Sequence, residues 1–372
     1  MIDLDANAST PLDPAVLEAM LPFLQANHAN PSAAYRAGRL ARRAIEHARV
    51  SVATFLKAEP GEIIFTSGAT ESIHTAHHSV RSLWPEKPLL ITTRVEHAAG
   101  LAAAEAWQSR GGRVHALSVD AEGRIDLDEL KCLLASRDAA LVSILWANNE
   151  TGVIQPMAEI TALAHEHGAL VHADAVQMAG KLPLDLREVP VDLASFSGHK
   201  MHAPKGVGLL YVSALSRFEP LITGGGQERG RRSGTENVPG IVALGKAAEL
   251  ASCPMRADLR DALERRLRVA LPEMVIHGRN APRLPNTSNF CLPGIDAAGM
   301  LILLDQRDVA CSAGSACHSA SLHPSHVLEA MGYDATHAAS SLRLSLHRFH
   351  TLADMEMAAA RIIECAEKLR SL

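Results

Sequence analysis

The chain has 372 residues, 47% of them hydrophobic, enough to bury a core in one large and one smaller domain. Its formal charge of -5 is spread without a basic block and only 3% of residues are aromatic, so nucleic-acid binding by a cationic patch or base stacking gains no support. No apolar run nears the roughly 18 residues of a membrane span, and Met1-Ile-Asp-Leu-Asp5 carries no apolar leader, so a cytoplasmic protein without membrane contact is expected.

Ile2 to Pro11 is too short to fold alone and is expected to pack across a site, while Pro14 to Leu24 begins the first long helix. From about residue 60 to 215, short branched apolar runs alternate with segments of helical period, the pattern of an α/β fold with a mostly parallel sheet covered on both faces. The expected strands are Glu62 to Thr66, Leu89 to Thr93, Leu141 to Trp146, Leu170 to Ala173, Asp192 to Ser197 and Val207 to Val212. After the first five come Ser67-Gly-Ala-Thr70-Glu, Glu96-His97, Ala147-Asn-Asn149-Glu, Asp174 and Gly198-His-Lys200. Ligands bind outside the carboxyl ends of such strands, so these segments should converge on one crevice. Ser67-Gly-Ala-Thr70 also opens a helix, where free N–H groups favour a phosphate.

Gly224 to Asn237 holds five glycines with arginines and hydroxyls, and is expected to be a loop ordered by something that it binds. Near residue 255 the pattern changes to an amphipathic helix, Arg256 to Ala270, and then to separate strands and helices up to Leu372. This divides the chain into a large domain over residues 14–250 and a small α+β domain formed by residues 1–13 with 251–372.

Lys200 closes an apolar run, where desolvation can remove its charge and allow a Schiff base. Asp174 ends a neighbouring run, where it can hold a pyridine nitrogen protonated; together the two point to pyridoxal 5'-phosphate. The six cysteines show no paired C-x-x-C spacing, so neither structural disulfides nor a zinc site are expected. Cys291, between Phe290 and Leu292, reads as a core residue, whereas Cys317 sits among small polar residues in what should be an exposed, mobile loop. His74, His77 and His78 have helical spacing that could in principle bind metal, but a helix over the sheet can simply expose them.

Asp5-Ala-Asn-Ala-Ser-Thr10, Thr66-Ser-Gly-Ala-Thr-Glu71, Glu96-His97, Asn148-Asn-Glu-Thr-Gly152, Asp174-Ala-Val-Gln177, Ser197-Gly-His-Lys200, the Gly224 to Asn237 loop, Ser315-Ala-Cys317, Pro324-Ser-His-Val-Leu328 and Arg343 occur in one order along the chain. In these motifs it resembles the cysteine desulfurases, pyridoxal phosphate enzymes of the class V aminotransferase fold, nearly end to end. The stretches Trp146 to Gly152, His202 to Gly206 and Gln227 to Asn237 look most like the NifS type, which supplies sulfur for nitrogenase clusters, with the housekeeping IscS type as the near alternative.

The resemblance implies the pyridoxal phosphate-dependent transferase fold of type I and conversion of L-cysteine to L-alanine. By position, Lys200 would hold the cofactor, Asp174 pair with its ring N–H, Gln177 donate to the ring hydroxyl and His97 stack on the ring. Ala69, Thr70, Ser197 and His199 would hold the phosphate, and Thr235 would reach it from the second subunit of a homodimer. Arg343, with Asn149, would bind the substrate carboxylate, and Asn149 would also touch the cofactor.

Lys200 would move the Cα proton, and Cys317 would attack the substrate sulfur and carry it as a persulfide to an iron-sulfur scaffold protein, with transient iron-sulfur ligation by Cys317 as a further implication. An ordinary thiol pKa of about 8.5 leaves few thiolates at neutral pH, so His97 or the substrate amine would take the proton. His318 and His323 depart from the family pattern without removing any of these groups. A selenocysteine lyase, an aminotransferase or a scaffold without catalysis are the rival readings; the thiol at Cys317 speaks against transamination.

Overall fold

Runs of branched and apolar side chains, buried on both faces, assemble the central sheet of the protein, for which the computed structural model describes residues 1–251, 255–313 and 325–371. In chain order its N-terminal strands are β1 (Ile2–Asp3), β2 (Ile63–Thr66), β3 (Leu89–Thr93), β4 (Arg113–Leu117), β5 (Ala139–Leu145), β6 (Leu170–Asp174), β7 (Leu193–Ser197) and β8 (Gly208–Val212). Seven of them form one sheet in the order β2-β8-β7-β6-β5-β3-β4. β8 pairs antiparallel with both β2 and β7, and every other pairing is parallel. The mostly parallel α/β sheet read from the sequence is therefore present, with β4 added at one edge. β4 is half polar, Arg-Val-His-Ala-Leu, with only Leu117 fully buried, so it lacks the continuous apolar run that marks the inner strands.

Helices α1 (Pro14–Gln25), α2 (Arg36–Leu56), α3 (Ala69–Leu83), α4 (Ala98–Ser109), α5 (Leu127–Leu134), α6 (Met157–Glu166) and α7 (Val238–Leu250) accompany this sheet. α2 and α7 approach closely because residue 245 is glycine; a Cβ there would stand 2.6 Å from Cα of Ala48. One apolar cluster joins Ile45, Val52, Phe65, Ile91, Ile144, Phe196 and Leu244.

The C-terminal elements are α8 (Asp258–Ala270), β9 (Val275–Ile276), β10 (Thr287–Cys291), α9 (Ala297–Asp305), β11 (Val309–Ala310), β12 (Ser312–Ala313), α10 (His326–Ala330), α11 (Ala335–Ala339), β13 (Ser341–Ser345) and α12 (Leu352–Arg370). An antiparallel sheet runs in the order β12-β13-β10-β9, and β1 pairs parallel with β11. A second apolar cluster includes Leu263, Leu267, Phe290, Met300, Leu342, Leu344 and Ile362, and it takes in Ile2 and Leu4 from the N-terminus. The chain then crosses to the large sheet, where the Thr10 N–H donates to the His199 carbonyl and the Asp13 N–H to that of His202. This is the crossing expected of the N-terminal segment. No helix among the described residues is long and apolar enough to cross a membrane.

A buried ion pair fixes the glycine-rich segment against the sheet. Arg49 on α2 and Glu228 are each 3% exposed and meet through two hydrogen bonds of 2.8 and 2.7 Å, while Glu228 also accepts the Phe65 N–H of β2. Removing one partner strands the other charge in low dielectric. Glu228→Ala should therefore cost roughly 3 kcal/mol in denaturant unfolding, whereas Glu59→Ala, which breaks the exposed pair with Arg187, should cost less than about 1 kcal/mol. Equal losses in the two variants would contradict this account.

Candidate functional site

The carboxyl ends of β2, β3, β5, β6 and β7 open onto a cavity of about 500 Å³, lined by Ala69, Thr70, His97, Asn149, Asp174, Gln177, Ser197, His199, Lys200 and Arg343 together with Asn7 and Ala8. All site residues expected from the sequence meet here except two. Thr235 lines a neighbouring cavity of about 180 Å³ with Ser67, Gly206 and Arg232. Cys317, with His318 and His323, lies outside the described residues.

Lys200 ends the short turn Gly198–Lys200 that follows β7, and its ammonium donates to the carbonyls of Asn7 at 2.5 Å and Ala8 at 2.6 Å. Asp174, the last residue of β6, is buried and accepts the Val176 N–H through Oδ1 at 3.1 Å. His97 caps α4, its Nδ1 accepting the Ala99 N–H at 3.1 Å, which leaves the proton of the neutral ring on Nε2. Burial lowers the pKa of His97, and Lys200 and His326 act in the same sense, so the ring is held neutral. His199 is pushed down to about 4 by burial and then by Lys200 and Lys205. α3 starts at the cavity wall, and its capping residue, Gly68, has no side chain to satisfy the first N–H groups.

Arg343 on β13 is 1% exposed. Its Nη2 donates to Asp5 Oδ1 at 2.7 Å and Ser312 Oγ at 3.2 Å, and its Nη1 to the Asn149 carbonyl at 3.1 Å. Its Nε is buried with no hydrogen-bond partner among the described residues. A buried guanidinium with two of its five N–H groups unspent, one on Nη1 and that of Nε, is suited to a carboxylate arriving in the cavity.

Asn7, Lys181, Asp5 and Glu96 also build the site, although sequence reading assigned them no role. Asn7 and Asp5 lie in a short polar stretch without periodicity, and Lys181 follows Gln177 by four residues in a turn, a spacing that could have drawn attention to it. One histidine of α3 differs from expectation, while His74 and His78 are partly exposed. His77 is buried, not exposed, and faces the sheet in a chain from its Nε2 to Ser143 Oγ at 2.9 Å, on to His172 at 2.8 Å and to Ser195 Oγ at 2.8 Å. No cluster of metal-ligating side chains occurs among the described residues.

Comparison with known proteins adds a family. The profile of class-V aminotransferases matches residues 2–357. A cysteine desulfurase of Enterobacter agglomerans is 46% identical over 99% of this chain and 93% of its own length. The cysteine desulfurase NifS of Azotobacter vinelandii is 43% identical over 99% of this chain and 93% of its own. Among solved structures, a NifS-like protein superimposes with a TM-score of 0.91 at 38% identity, covering 99% of this chain and all of that one.

Beneath the cavity lies a buried acid with a legible pH signature. Glu96 Oε1 accepts the Thr93 hydroxyl at 2.7 Å and the Leu145 N–H at 2.9 Å, yet burial pushes its pKa up to about 8, with the charge of Asp174 adding to the effect. A carboxyl whose pKa rises on folding stabilises the fold fully below about 4.5, its ordinary value, and loses that contribution as pH rises through about 8. In the ligand-free protein, Glu96→Gln keeps the two acceptor contacts and removes the ionisation. Unfolding measured at pH 5 and 9 should show the variant losing less stability than wild type across the interval, by an amount on the order of a few kcal/mol. The same pH slope in both proteins would sink the assignment.

Proposed function

The chain belongs to the class-V aminotransferase family and, within it, to the pyridoxal phosphate-dependent cysteine desulfurases; on that premise we propose that it moves the sulfur of L-cysteine onto Cys317 and delivers it to an iron-sulfur scaffold protein for nitrogenase cluster assembly. The observation that carries the reading is the meeting of Lys200, Asp174 and Arg343 in one cavity, a Schiff-base lysine, a buried carboxylate and a carboxylate-binding arginine.

The residues present fit pyridoxal phosphate. Burial pushes Asp174 up to about 6, offset in part by the Val176 N–H and the nearby Lys200, so a ring N–H brought against it would hold it ionised. The uncapped start of α3 at Ala69 and Thr70, with Ser197 and His199 beside it, offers donors for a phosphate. When bound, the cofactor supplies an electron sink for the pair left at the substrate Cα.

On this reading Lys200 would hold the cofactor, and its amine would move the proton at the substrate Cα. Gln177 would donate to the ring hydroxyl and His97 would lie against the ring. Asn149 adds a contact to the cofactor, and the partner subunit's Thr235 completes the phosphate site, making the working unit a homodimer. Arg343 takes the substrate carboxylate through the donors that Asp5 and Asn149 leave.

The Cys317 thiolate forms a sulfur–sulfur bond with the substrate as the carbon–sulfur bond breaks, with the electron pair going to carbon. Protonation of that carbon and return of the proton to Cα by Lys200 give L-alanine and leave a persulfide on Cys317, the group offered to the scaffold protein, and during that transfer Cys317 can also ligate iron-sulfur cargo. Residues 14–250 hold the cofactor in this scheme, and residues 1–13 with 251–372 carry Arg343 and the Cys317 segment.

The test is to supply purified protein with L-cysteine and follow the visible absorbance, alanine and transferable sulfur. Cys317→Ala should keep the absorbance and lose sulfur release by about 100-fold or more. Arg343→Ala should mainly raise KM for cysteine, by roughly 10- to 100-fold, the worth of a charge-assisted hydrogen bond. Full activity in the Cys317 variant would rule out the persulfide route, and an unchanged KM would rule out the arginine.

A further inference from the structure

Lys181 is a lysine with only 2% of its surface exposed, and none of the roles above employs it. Its Nζ donates to Asn7 Oδ1 at 3.1 Å and to Gln177 Oε1. Gln177 in turn donates from Nε2 to the Asn7 carbonyl at 3.1 Å. An ammonium can only donate and a backbone carbonyl can only accept, so these two neighbours decide which way the Gln177 amide faces. Its oxygen belongs toward Lys181 and its nitrogen toward Asn7, which leaves the second N–H of the amide for the cavity that Gln177 lines.

Burial pushes the Lys181 ammonium well below the usual lysine range, and Lys200 and Arg343 act in the same sense. In the neutral form the amine also has a lone pair, but the Asn7 carbonyl can only accept, so the Gln177 nitrogen stays on that side and its oxygen stays toward the N–H groups of Lys181.

We propose that Lys181 is a positioning residue that locks the Gln177 amide with an N–H toward the ring oxygen of the cofactor, so that this wall of the cavity presents a donor and never an acceptor. The inference rests on the reading of Gln177 as the partner of the ring hydroxyl. With methionine at 181 the amide oxygen loses its donor, and the side chain can turn that oxygen into the cavity, where it meets another oxygen. A donor against the ring oxygen favours the deprotonated form of the bound chromophore; its loss raises the pH at which the visible band changes.

The experiment is a pH titration of the visible absorbance of the substrate-free holoenzyme in wild type, Lys181→Met, Gln177→Ala and the double variant. Lys181→Met should raise the midpoint by roughly half to one pH unit, the worth of one hydrogen bond. Gln177→Ala should shift it in the same direction, and the double variant should shift no further than Gln177→Ala alone. A wild-type midpoint in Lys181→Met beside a shifted Gln177→Ala overturns the role of Lys181 and leaves that of Gln177 standing. A wild-type midpoint in Gln177→Ala overturns both, and additive shifts in the double variant overturn the positioning mechanism. Should Lys181→Met not fold, Lys181→Gln alone and with Gln177→Ala replaces it; additive shifts there overturn the proposal in the same way.

Discussion

The site depends on the hydrogen bonding of one buried residue, Asn7. Its carbonyl accepts from Lys200 and Gln177, its Oδ1 from Lys181 and Asn286, and its Nδ2 donates to the Asn149 carbonyl and Thr287 Oγ1, while its backbone N–H donates to Ser345 Oγ. Each donor and acceptor of the residue is thereby used. An aspartate would lose the two side-chain donors, and an apolar residue would leave partners unpaired in a low-dielectric interior. Ile2 and Leu4 seat the preceding residues in the apolar cluster of α8 and α12, while Thr10 and Asp13 bond to the turn after β7. Asn7 therefore sits at the crossing between two cores, and the alignment of Lys200 with Arg343 depends on it.

The parallel sheet supplies the other half of the geometry. β3, β5, β6 and β7 run the same way, so their carboxyl ends bring Glu96, Asn149, Asp174 and Lys200 to one rim although 104 positions separate the first from the last, counting from 96 to 200. β8 returns antiparallel beside β7 and lets β2 join with its own end at that rim, which brings Gly68 and the start of α3 against Ser197. A Cβ on Gly208 would stand 2.6 Å from the Gly68 Cα, so the absence of a side chain at 208 is what allows this approach.

Much of this was legible in the sequence because the inner strands are uninterrupted apolar runs and the residues just beyond them are the polar ones. The rule that ligands bind at strand ends then placed Thr70, His97, Asn149, Asp174 and Lys200 in one crevice without side-chain coordinates. β4 escaped because edge strands alternate with solvent, and Arg113 and His115 break its apolar run. His77 was misread because helical spacing says which residues share a face but not whether Ser143 waits on the sheet below to satisfy a buried imidazole. Asn7 was assigned no role for a related reason, since its partners come from distant parts of the chain; Lys181 lies four residues from Gln177, but its second partner, Asn7, is 174 residues away.

The electrostatics of the cavity are divided between floor and walls. Asp174 and Glu96 form a buried acidic floor, while Lys200 after β7, Lys181 after β6 and Arg343 on β13 converge above it. The charge of Asp174 adds to the cost of ionising Glu96, and burial raises Asp174 itself, so a cationic ring nitrogen would be a favourable neighbour of Asp174. Arg343 is less available than its burial suggests, because Asp5 already takes one of its Nη2 hydrogens and Asn149 one of Nη1. Asp5 thus aims the guanidinium and partly neutralises it. On the proposed reading a substrate carboxylate would be recognised by the N–H groups that Asp5, Ser312 and Asn149 leave. On that reading selection for an amino acid would follow from geometry more than from net charge, since a ligand whose carboxylate meets Arg343 while its amine reaches Lys200 would satisfy both ends of the cavity.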